Sequence, residues 1–138
     1  MTHEYKELLL KDLCARLPYN VRVEYNGTTL TNIFDVLGIA HGRIMLCLPF
    51  MSKTECPLIE EVKPYLFPLS SMTTEQSDEF FTYFHDVEKK EIETSGDYLK
   101  AAYLGENSKR DWLNKNHLDY NYLIPKGLAI DATGLNIY

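Results

Sequence analysis

The chain has 138 residues, 45% of them hydrophobic and 25% charged, which allows one ordinary hydrophobic core and predicts a single domain spanning 1–138. Its net charge of −6 is uneven: Lys53 to Glu106 holds twelve acids against five bases. An acidic chain without a basic stripe is a poor candidate for non-specific DNA binding. No stretch approaches the ~20 apolar residues of a membrane span.

Thr2 is placed to cap a helix running to about Leu17, with Tyr5, Leu9, Leu10, Leu13, Cys14 and Leu17 on one apolar face and Pro18 as the stop. A meander follows. Val21, Val23 and Tyr25 alternate with polar residues, and Asn26-Gly27 is a hairpin turn signal. A returning strand spans Thr28 to Leu37, with uneven alternation at Asn32-Ile33 that suggests a bulge. Arg43 to Leu48 forms the third strand, with Ile44, Leu46 and Leu48 on one face. Pro49 to Pro57 reads as a loop, and Ile59 to Val62 as a short edge strand.

An extended segment with Pro64 and Pro68 leads into a helix at Thr73, where Thr73 and Gln76 have capping-box spacing. Phe80, Phe81, Phe84 and Val87 form its apolar face, and Ser95-Gly96-Asp97 breaks it. Tyr98 to Gly105 continues, and a separate short helix is expected from Ser108 to about Asn116, carrying Trp112 and Leu113. Beyond it lies an irregular tail with only Asp119, Lys126 and Asp131 as charges. The expected class is therefore α+β: an N-terminal helix, a three- to four-stranded antiparallel meander (an SH3-like arrangement is one form), then two to three helices and the tail. A tail this apolar must pack on its own domain, on a second copy in a homo-oligomer, or on a partner.

Two strings, 62–75 (VKPYLFPLSSMTTE) and 111–130 (DWLNKNHLDYNYLIPKGLAI), resemble small uncharacterised accessory proteins of phages and prophages of gut Bacteroidetes. The resemblance extends to the opening helix and the hairpin. It implies a setting, a bacterial host cytoplasm, and a phage-type accessory role such as counter-defence. It transfers no catalytic residue.

The candidate chemistry points away from most enzymes. Cys14, Cys47 and Cys56 are odd in number and widely spaced, as free thiols of a reducing compartment would be. With four histidines they could be paired by chance, but Cys14 falls on the expected buried face of the first helix and Cys47 in a strand, so no catalytic residue is assigned. No histidine pair has ligand spacing and the glycines sit singly, so no metal or cofactor is assigned either. Trp112, His117, Asp119, Tyr120 and Tyr122 make the best polar-aromatic cluster. It suits a recognition pocket, with aromatic walls and hydrogen-bonding groups, but the reading favoured is structural: Trp112 and Leu113 anchor the last helix, and His117 and Asp119 finish its C-terminal turn. Arg22, Arg43 and Arg110 are the candidates for a phosphate.

The expected function is a non-enzymatic binding protein that inhibits a host defence or regulatory protein. The alternatives are an oligomeric protein that sequesters a nucleotide signal, and a minor virion component.

Overall fold

The structure is a computed structural model that describes residues 1–26, 33–48 and 54–138. Helix α1 (His3–Arg16) opens where expected, with the Thr2 hydroxyl accepting from the Tyr5 amide, and Pro18 turns the chain through a 3-10 turn at Leu17–Tyr19. Its buried stripe is Leu9, Asp12, Leu13 and Arg16. Cys14, expected on that face, is exposed. The spacing of Leu9, Asp12, Leu13 and Arg16 is helical, and the charged pair takes the inner position because each member neutralises the other.

Strands β1 (Arg22–Tyr25), β2 (Ile33–Ala40), β3 (Arg43–Cys47) and β4 (Thr54–Glu55) form an antiparallel meander. Ile44, Leu46 and Leu48 are buried, as their alternation predicts. The β2–β3 register steps by one residue between Val36 and Gly38, leaving Leu37 exposed. Asn32 and most of the Asn26-Gly27 turn lie outside the described residues. The expected loop before Pro57 contributes β4, since Thr54 and Glu55 pair with Cys47 and Leu46.

The expected edge strand at 59–62 is different. Ile59–Glu61 is a 3-10 turn, and strand β5 (Val62–Pro68) follows inside the sheet. It pairs antiparallel with β1 on one side. Farther along it pairs in parallel with two short strands, β6 (Leu118–Asp119) and β7 (Ile130–Asp131), on opposite edges: the Phe67 amide donates to the His117 carbonyl, while the Leu66 carbonyl of the same peptide accepts from the Ala132 amide. The order is β4-β3-β2-β1-β5-β6, with β7 also on β5, so the sheet is larger than the expected meander and only mostly antiparallel. Pro64 falls before the parallel pairing begins at Tyr65, and Pro68 at its end, so the prolines bracket it.

Between β5 and β6 stands a helical hairpin. Helix α2 (Thr74–Ser95) begins on the Thr73/Gln76 capping box and ends at Gly96, which adopts the left-handed conformation (φ 68°) that glycine reaches without steric cost. Asp97 caps α3 (Tyr98–Lys115) by accepting from the Lys100 amide. Helix α3 is continuous, so the expected break at Gly105 is absent. Gly105 is a packing residue instead: a Cβ there would lie 2.6 Å from Cγ of Glu88 on α2.

The C-terminal segment packs within the chain. Neighbouring residues of a strand point to opposite faces, and the segment covers both sides of β5. Leu123, Leu128 and Ala129 join the α1-side core with Leu9, Leu13, Val23 and Leu66, while Ala132 and Ile137 pack with Tyr65.

Candidate functional site

The polar residues that sequence singled out fall into three groups. Asp119 is buried, and its two carboxylate oxygens accept from the amides of Leu123 and Ile124, each at 2.8 Å. It shapes the turn after β6. Tyr120 is half-buried, donates its hydroxyl to Asn114 Oδ1 (2.8 Å), and has one ring face covered by the Arg16 guanidinium. Tyr122 is exposed, with Lys126 Nζ 5.8 Å from its ring centre.

Arg22 is engaged with Asp35 (3.0 Å) and with the carbonyl of Ile137. Arg43 donates to the carbonyl of Cys56. Arg110 borders a small hollow of about 200 Å³ with Lys11, Tyr120 and Asn121. The structure therefore does not bring the three arginines together.

Trp112 and His117 line separate clefts that share Lys115 and Asn116 as their common wall. His117 belongs to the larger, about 470 Å³. Its ring stacks on Tyr138, 3.5 Å between centres and 9° from parallel. The Tyr138 hydroxyl accepts from the Arg22 amide and donates to the carbonyl of Tyr65, and burial pushes it up to about 12. Burial first, then the charges of Arg16 and Arg22, pulls His117 down to about 4. Near pH 7 its imidazole is neutral and far from the pKa that suits a general base there.

The second cleft, about 370 Å³, lies where the start of the hairpin meets the turn after α1. Its rings are Tyr19, Tyr83 and Trp112; its acids are Glu79 and Asp111. Trp112 is buried, with its ring centre 5.2 Å from that of Phe80. Its indole N–H points to Glu79 Oε1 at a long 3.4 Å. The Tyr19 hydroxyl is raised by burial first, then by the neighbouring Asp111 carboxylate and by Tyr83.

Of these five cleft residues, sequence reasoning proposed only Trp112 as a binding residue. Glu79 and Trp112 are 33 positions apart, so no local spacing signals their meeting. The buried pair Asp12–Arg16 was legible in principle. Its i, i+4 spacing continues the Leu9–Leu13 stripe, although charges on such a stripe ordinarily count against burial.

Among the described residues, no group of three or more His, Cys, Asp or Glu is placed to hold a metal ion. Nor is any helix there long and apolar enough to cross a membrane. No family model matches the chain, and neither a curated protein nor a solved structure does.

Proposed function

We propose that the chain is a binding protein that docks onto a basic protein surface through its helical hairpin. One observation carries this reading: α2 packs almost wholly on α3, leaving its outer side uncovered and strongly acidic. Seven acids stand against two lysines on α2. Phe81 and Tyr83 are exposed on it, as are Tyr98, Leu99 and Tyr103 on α3. Opposite charge steers encounter, and exposed aromatic side chains supply contact area once the surfaces meet. In the phage-type setting implied by the resemblance, the partner is a protein of the bacterial host and docking blocks it.

The test is affinity capture from host lysate by the wild-type chain and by a charge-reversed variant. Glu75, Asp78, Asp86 and Glu93 are the positions to reverse, because they are exposed while Glu79 and Glu88 serve Trp112 and the helix contact. The reading expects a captured basic protein that is lost on reversal and weakened by salt. Capture unchanged by reversal refutes it.

Sequestration of a nucleotide is the second reading, resting on Lys11 and Arg110 beside Tyr120. At about 200 Å³ that hollow is smaller than an ordinary small-molecule site, and one face of Tyr120 is already covered by Arg16. Saturable binding of a fluorescent nucleotide, abolished by Arg110→Ala, would promote it to first place.

A further inference from the structure

We propose that the cleft walled by Tyr19, Tyr83 and Trp112 and edged by the Glu79 and Asp111 carboxylates receives an arginine side chain of the basic partner; this rests on the docking function proposed above. Three features set this cleft apart from the other acidic positions of the hairpin. It is a concave space of about 370 Å³, within the ordinary range for a bound group. It is lined by Tyr19 and Tyr83 together with the buried Trp112, and tyrosine faces attract cations, guanidinium more often than ammonium. It also holds two carboxylates, neither of which is in an ion pair among the described residues.

The hydrogen bonds already made there leave capacity unused. Glu79 takes a single long bond from Trp112, and Asp111 lies near the Tyr19 hydroxyl. An ionised carboxylate offers about four lone-pair sites, so both can accept more. The planar, five-donor fork of arginine can bond two carboxylates while its flat face lies on a ring; a compact ammonium has no flat face to stack.

Lys115 is the one cation on this wall, and it forms no ion pair among the described residues. It offsets one of the two carboxylates, so the cleft keeps an excess of negative charge. An anionic ligand would face both acids and is disfavoured. Glu79 and Tyr83 belong to α2, so a basic surface approaching that acidic helix meets the cleft directly.

Trp112 is the only tryptophan of the chain, so intrinsic fluorescence reports from the cleft itself. The experiment titrates the full chain with Nα-acetyl-arginine methylamide in the millimolar range, and with the matching citrulline compound, which keeps the shape and lacks the charge. A saturable change with arginine and none with citrulline is expected. Asp111→Asn and Glu79→Gln should each weaken it by about tenfold, the loss of one charge-assisted bond. Lys115→Ala should tighten it several-fold, a gain that a damaged fold would not give. A flat titration, an equal citrulline response, or weaker binding in Lys115→Ala overturns the proposal. A flat titration alongside partner capture that is lost on α2 charge reversal removes the arginine cleft and leaves the docking reading standing. A saturable titration alongside capture insensitive to reversal keeps the cleft and removes α2 as the docking face.

Discussion

Asp12→Ala should be among the most destabilising single substitutions in the chain. Both Asp12 and Arg16 have side chains with no solvent exposure. The Asp12 carboxylate accepts from Arg16 Nε (2.7 Å), Arg16 Nη2 (3.0 Å) and Asn121 Nδ2 (2.8 Å). Removing it leaves a dry guanidinium with the Leu118 carbonyl (2.8 Å) and the Tyr120 ring as its partners. Breaking such a pair from one side costs about 3–5 kcal/mol, a large part of the ~5–15 kcal/mol that holds a domain folded.

Most of that cost is the stranded charge rather than the worth of the pair. Asp12→Leu with Arg16→Met, which removes both charges, should therefore cost less than about 2 kcal/mol. Urea unfolding of wild type, Asp12→Ala, Asp12→Leu, Arg16→Met and the Asp12→Leu/Arg16→Met double, followed by far-UV circular dichroism, gives the cycle and the stranded-charge comparison. The same pair ties α1 to the segment after β6, so amide exchange at Leu123 and Ile124 should quicken in Asp12→Ala. A loss under about 1 kcal/mol for Asp12→Ala, or a double variant no more stable than that single, would refute the reasoning.

Three further outcomes are expected. His117 is depressed in the fold to about 4 from an ordinary 6.5, so between those pH values the unfolded chain holds the extra proton. Stability contributed by its neutral form is present above about pH 6.5 and is lost as pH falls towards 4. The ring is partly solvated, so the loss is on the order of 1–2 kcal/mol, and urea midpoints should fall less steeply over that window in His117→Gln. Tyr138→Phe should cost about 1 kcal/mol in the same assay, because it removes the donor to the part-buried Tyr65 carbonyl, while the exposed Arg22 amide turns to water. Gly105→Ala should not yield the usual helix-propensity gain of about 1 kcal/mol, because the new methyl meets Glu88; on a Glu88→Ala background the gain should appear in thermal melts.

What the sequence determined by itself were the features whose energetics are local. The Thr2 cap, the Thr73/Gln76 capping box, the stop at Gly96 and the alternation of Ile44, Leu46 and Leu48 each involve residues a few positions apart. The α+β class followed from them.

Tertiary structure decided the rest. Strand β5 looked like an extended lead-in because both of its parallel partners come from residues 118–131, 51 positions downstream for Leu118 from Phe67 and 65 for Ile130 from Tyr65. Gly105 looked like a helix end because its reason for being small is Glu88, on another helix. The C-terminal segment looked open to several fates. Its apolar residues required burial, but only the two faces of β5 determined where. In the same way, Trp112 was a visible candidate, but Tyr19, Glu79, Tyr83 and Asp111 became a cleft only when the hairpin folded back against the turn after α1. Local composition sets what a side chain can do, and long-range packing sets which side chains it does it with.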